Sequence, residues 1–244
     1  MTIHTAFPQT SLPFVPATDG HYDIYGIIHK ALRRAHCDML TRLGQADFDR
    51  PEVLALIADL RGLLTISAGH LDHEDVHIHA ALDRRRPGAS QATEADHDHH
   101  REAFVRLGTI LNRFDHALAN DRLAIGRELY LTYSLFVAQD FRHMFDEETA
   151  LSAQLWEVFS DHELAEIEGG IKASLPPQEM MALMAMMIPA ISRDQRVLLL
   201  NDIRIHAPQP AFDAVIQHAA RPTLTAEDLA DLERRLVLLS TFPA

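Results

Sequence analysis

The sequence predicts an all-α protein: an antiparallel up-down-up-down four-helix bundle followed by a C-terminal helical extension. Three observations predict it. Apolar residues recur at spacings of three and four along nearly the whole chain, the period of an amphipathic helix. The period-two alternation of β-branched residues that marks strands is missing. Breakers gather in short clusters between four long helical stretches, and short loops make successive helices antiparallel neighbours.

Residues 1–20 contain Pro8, Pro13 and Pro16 and lack the charged start and apolar core of a signal peptide, so they read as a flexible arm. The first helix runs from about His21 to Leu43 and stops at Gly44. Asp49 followed by Pro51 is a start signal, because proline suits the first helical turn. The second helix continues to about Asp83, ahead of Pro87-Gly88. Thr93 is the expected N-cap of the third, with Glu94 and Asp96 in its first turn complementing the helix dipole. Phe104, Leu107 and Leu111 form its apolar stripe. Asn120-Asp121 breaks the pattern, and the fourth helix runs to about Phe159. Residues 21–159 are thus the bundle and 160–244 the extension. There, Ser160 with Glu163 and Ser192 with Gln195 read as capping boxes. Pro176-Pro177, Pro208, Pro210 and Pro222 divide the extension into shorter helices. Met180, Met181, Met184, Met186 and Met187 crowd one of them as adaptable core filler. No chemistry is visible in the extension, which is expected to cover the bundle or to carry a homodimer or protein-partner contact.

Composition narrows the function. Net charge is −13, and Lys and Arg form no block that would track phosphates, which argues against a nucleic-acid partner. Cys37 is the single cysteine, so an intramolecular disulfide and any four-thiolate metal site are excluded. The most apolar run, Met180 to Ile191, is too short to cross a membrane and contains Pro189. No membrane partner and a cytoplasmic location are therefore expected. Histidine is the outlier: of 16 in the chain, only His162, His206 and His218 lie beyond residue 150.

The same step occurs twice, as His70-Leu71-Asp72-His73-Glu74 and as His143-Met144-Phe145-Asp146-Glu147. Positions i and i+4 share a helix face, so each step aims an imidazole and a carboxylate in one direction. Antiparallel registers can be compared from the loops. The second loop is centred near residue 87, which sets Glu74 level with His100. The third is centred near 120 and pairs His143 with His97. The first, near 48, brings His70 within a turn of His29. His29, His70, Glu74, His97, His100, His143 and Glu147 thus fall at one level on all four helices. Two glutamates among these histidines inside a bundle would cost several kcal/mol without a compensating cation. Imidazole with carboxylate and no thiolate suits iron, zinc or manganese. His36 lies two turns from His29 and is expected to be a core hydrogen-bonding histidine. His73, His77 and His79 are either partly exposed or placed to orient a ligand, and His99 points off the apolar stripe toward solvent.

With these residues in view, the chain resembles the hemerythrin-like, cation-binding His-His-Glu domain proteins. The matching elements are Ile28-His29-Lys30-Ala31-Leu32-Arg33, His70-x3-Glu74 with Asp75, Asp96-His97 to His100, and His143-x3-Glu147 with Glu148, in the family's order over about residues 21–150. The resemblance implies a four-helix bundle holding two non-haem irons, oxo- or hydroxo-bridged. Their ligands would be His29, His70, Glu74, His97 or His100 or both, His143 and Glu147, with the glutamates bridging. With roughly six positions on each iron, five histidines, two bridging carboxylates and one bridging oxygen leave one position for O2 or NO. The chain departs from the oxygen-carrying pattern on the third helix, where that pattern has two histidines four apart. His97 and His100 are three apart, and position 101 is Arg101. The resemblance then implies binding or sensing of O2 or NO, or iron handling, rather than an enzyme with an organic substrate.

Three rival readings stand beside it. His73-Glu74-Asp75-Val76-His77 spells the His-Glu-x-x-His string of zinc peptidases, in which the glutamate is a general base. Glu74-x-x-His77 and Glu94-x-x-His97 match the three-residue step of ferritin-like di-iron oxidases. A helical adaptor with incidental histidines is the third, and the clustering of histidines at one level argues against it.

Overall fold

The computed structural model describes residues 20–241, so the arm expected over 1–20 lies, apart from Gly20, outside the described residues. Every regular element among the described residues is helical. The chain divides into two compact units, and the division falls inside the first helix. Leu32–Gln154 form one unit; the segments ending at Ala31 and beginning at Leu155 form the other.

Helix α1 (Gly26–Gly44) ends at the predicted glycine but starts later than His21. The Asp23 carboxylate accepts hydrogen bonds from the Tyr25 and Gly26 amides at 3.2 and 2.7 Å, satisfying donors that the first turn leaves open and fixing the start there. Helix α2 (Val53–His73) comes after Pro51 and passes through a π-helical turn (Glu74–His79) into α3 (Ala80–Arg85). Helix α4 (Gln91–His116) begins two residues before Thr93, which is therefore not its cap. Ser90 holds the start instead: its hydroxyl donates to Glu94 at 2.7 Å and its amide to Asp83 at 3.1 Å. Asn120-Asp121 does not break the chain either. The turn falls at Ala117-Leu118, both extended, and Asn120 lies in the first turn of α5 (Ala119–Asp146). A second π-helical turn (Glu147–Leu151) leads from α5 into α6 (Ser152–Val158).

In the unit Leu32–Gln154, α4 packs along α5 and α2 along α4. Leu60, Leu71, Ile78 and Leu82, Leu107, Leu111 and Phe114 of α4, and Leu129, Tyr133 and Phe136 of α5 are all buried. The Leu107 and Leu111 stripe is fully buried, with Phe104 against Phe136 at 5.2 Å between ring centroids. Val53–Arg85 is long and apolar enough to cross a membrane by length and composition. Here its Leu56, Ile57, Leu60 and Leu64 are buried in protein.

In the other unit, both predicted capping boxes form, at Ser160/Glu163 and Ser192/Gln195. They open α7 (Asp161–Ser174) and α9 (Arg193–His206), which flank α8 (Pro177–Ala190). Met180 and Met184 are core residues beside Ile188, Leu200 and Val215, with Met181 and Met187 packed against them. The described N-terminal segment joins this unit through Tyr22, whose carbonyl accepts from Trp156 Nε1 at 3.0 Å and whose hydroxyl donates to Glu168.

Gly126 of α5 tests the packing. A Cβ there would lie 2.2 Å from the Phe48 ring, which itself packs edge-on against Phe114. Gly126→Ala should therefore destabilise the protein by about 1–3 kcal/mol, read by denaturant unfolding, although alanine is the better helix former.

Candidate metal centre

Both His-x3-Glu steps end at a change of helix type. Glu74 is the first residue of the π-helical turn after α2, and Glu147 the first of the one after α5. A π turn widens the helix and rotates the residues beyond it, and such turns recur at functional sites. Both glutamate side chains are about 1 % exposed. Within each step the pair meets as the helix period requires: His70 Nε2 is 3.1 Å from Glu74 Oε1, and His143 Nε2 is 3.3 Å from Glu147 Oε2.

Helix α4 supplies the third side. His97, fully buried, sets its Nε2 3.1 Å from His143 Nε2 and 3.6 Å from a carboxylate oxygen of both Glu74 and Glu147. Glu74, His97, His143 and Glu147 thus offer ligand atoms all within 4.8 Å of one another, a buried group that can hold a metal ion.

The chemistry of the donors fits a cation. His97 Nδ1 is 2.7 Å from Asp75 Oδ1. Burial pushes the Asp75 carboxyl up, but hydrogen bonding to Arg101 and the charge of His97 more than offset it and hold the group below the usual carboxylate range. An ionised carboxylate only accepts, so Nδ1 carries a proton, and in the neutral imidazole Nε2 then presents a lone pair. That lone pair faces two carboxylates and a second imidazole nitrogen. Two nitrogens 3.1 Å apart suit two ligands of one ion at metal–nitrogen distances of about 2.0–2.1 Å. The Glu147 carboxyl is held well above its ordinary value, first by burial and then by Glu74 beside it. A cation would relieve both effects.

The other predicted residues occupy distinct surroundings. His29 is fully buried on α1, its ring stacked on Tyr25 at 5.1 Å. His70 is partly exposed and joins Glu74. His100 is buried but stands outside the four-residue group. Its Nδ1 donates to the Asp96 carbonyl at 2.7 Å, and its Nε2 faces Asp140 Oδ1 at 3.6 Å. His36 is a buried hydrogen-bonding histidine, as expected. Tyr133 donates to its Nδ1 at 2.7 Å, and its Nε2 donates to Ser67 Oγ at 3.2 Å, which passes its own proton to the Leu63 carbonyl. His99 is exposed.

Both motif rivals lose their geometry. His73 and His77 are partly exposed and stack on each other at 6.4 Å, and neither belongs to a metal-capable group among the described residues, whereas Glu74 is buried. Glu94 of the ferritin-like step is exposed and engaged by Ser90.

Sequence reasoning missed Asp140 and gave Asp75 no role. Asp140 stands three and seven residues before His143 and Glu147, so the helix period already put it on their face. Asp75 stands one residue past Glu74, off that face in an α-helix, so the spacing of the two steps gave no signal for it, and it meets His97 from within the π-helical turn.

Comparison with known proteins returned no matching family model and no matching curated protein.

The His36 network makes stability depend on pH. Burial, then the charges of His100 and His70, push His36 down to about 4 from an ordinary value near 6.5. A depressed folded-state value means that the unfolded chain binds the proton first. The contribution is complete above about pH 6.5 and disappears as pH falls toward 4. Urea unfolding at pH 7 and pH 4.5 should differ by up to about 3 kcal/mol from this group. The difference should shrink in His36→Gln.

Proposed function

We propose that this chain is a hemerythrin-like, non-haem di-iron protein that binds or senses O2 or NO, or handles iron. The observation that carries the reading is the convergence of Glu74, His97, His143 and Glu147 in one buried group. In this reading α1, the α2–α3 stretch, α4 and the α5–α6 stretch are the four helices of an antiparallel bundle. His97, His143, His70 and the two glutamates would hold the ions, with His29 the candidate ligand of the first helix. His100, three residues beyond His97, is the alternative or additional ligand of the third helix.

A pair of irons would supply one-electron redox chemistry and an open position for a diatomic ligand. The protein's own groups do the remainder. The helix period sets Glu74 and Glu147 beside His70 and His143, and Asp75 accepts from His97 Nδ1–H. Glu74, His97, His143 and Glu147 are themselves all buried, which limits the access of water to the donors.

Metal analysis and an optical spectrum of aerobically purified protein test the proposal. About two irons per chain, with the charge-transfer bands of a bridged ferric pair, are expected. One zinc per chain, or no metal, would overturn it. His143→Ala should lose most of the iron, and full retention would show the ligand assignment to be wrong. Chelation should lower the melting temperature, because metal at a hundredfold excess over its Kd stabilises the fold by about 3 kcal/mol.

A further inference from the structure

Beside the four-residue group stands a second cluster: Asp75, His79 and His97. By composition it is a candidate for a further ion. Its hydrogen bonding argues otherwise. Asp75 Oδ1 accepts from His97 Nδ1 at 2.7 Å and from His79 Nδ1 at 3.0 Å. Asp75 Oδ2 accepts from the Arg101 guanidinium, which also reaches Asp72 at 3.0 Å. Both carboxylate oxygens are thus committed to N–H donors, and the fixed positive charge of Arg101 stands against Asp75, disfavouring a cation there.

We infer that Asp75 is a positioning residue: held by Arg101, it fixes the tautomer and ring orientation of His97 so that the Nε2 lone pair enters the Glu74–His143–Glu147 group. Three observations support this. Asp75 bonds the ring nitrogen opposite the one that faces the group, the arrangement by which a carboxylate orients a metal-binding imidazole and raises its basicity. His79 is fully buried, stacks on the His97 ring at 4.8 Å between centroids and shares the same carboxylate oxygen, which prevents His97 from tilting away. Asp75 is about a quarter exposed and Arg101 lies outside it at 40 %, so the pair closes the solvent side of His97. Arg101 occupies the position four residues after His97 where the oxygen-carrying pattern has a histidine. In this chain that position supports a ligand from behind instead of donating one.

The inference rests on the metal-site reading, and two measurements separate their fates. Long-range 1H–15N correlation spectra of the metal-free protein report the His97 tautomer, with the signal assigned by its loss in His97→Gln. The wild type should be held as Nδ1–H. Asp75→Ala should release it toward the Nε2–H form that free imidazole side chains prefer. Asp75→Asn, whose amide oxygen still accepts, should keep Nδ1–H. Cobalt(II) titration, monitored through its ligand-field bands, is the second measurement. Asp75→Ala should bind about 10- to 100-fold more weakly, with the same number of ions at saturation and altered bands. Asp75→Asn should restore most of the affinity. Arg101→Met, on the exposed side, should weaken cobalt binding without changing the tautomer and serves if Asp75→Ala fails to fold. An unchanged His97 tautomer in Asp75→Ala overturns the inference. So does the loss of one bound ion at saturation, which would make Asp75 a ligand. If the wild type takes up no cobalt, the metal-site reading fails, and the tautomer comparison still decides the role of Asp75.

Discussion

Glu74 and Glu147 lie together inside a helical core, and the cost of burying both governs the rest of the site. Each is about 1 % exposed, and each has an oxygen 3.6 Å from the same His97 nitrogen. Burial first, and then the charge of Glu74 beside it, hold Glu147 well above its usual range. Protonation relieves the repulsion at the expense of charge, whereas a cation relieves it and keeps both groups as donors. As a neutral imidazole bonded to Asp75 through Nδ1, His97 presents a lone pair rather than a proton to the glutamates. That polarity is the one expected around a positive ion.

The backbone is adapted to the same end. A regular α-helix through Glu74 or Glu147 would carry the next turn onward at the usual angle. At both glutamates the helix widens instead, and on the α2 side Asp75 and His79, both in this wider turn, meet His97. Widening loosens the regular i to i−4 ladder; a third such turn, Ile216–Ala220, lies in the C-terminal extension, so the feature is not confined to the site. Below the site, Tyr133, His36 and Ser67 form a satisfied chain of hydrogen bonds that lets a histidine stay neutral in the core. Asp140 stands between that chain and His100, 3.6 Å from a nitrogen of each.

Helical periodicity and breaker positions made the all-α fold and the long helices legible, and the loop-centred registers placed Glu74, His97, His143 and Glu147 at one level. The boundaries were less legible. Thr93 has the residue type of a cap but lies inside α4, because Ser90 with Asp83 and Glu94 offered a better-satisfied start. Asn120 is common in turns, yet α5 absorbs it once Ala117-Leu118 has made the turn.

The sequence by itself determined which residues can carry the chemistry. The i, i+4 spacing of His70 with Glu74 and of His143 with Glu147 survives any rearrangement of the helices, because it is a property of the helix. Tertiary structure alone decided how the histidines divide their tasks. His97 faces the glutamates while His100, three residues on, turns its nitrogen to Asp140. A three-residue step spans about 300° of helix, so only the packing of α4 against its neighbours selects which of the two points inward. The π-helical turns were equally hidden, since no spacing or residue type in the sequence marks them.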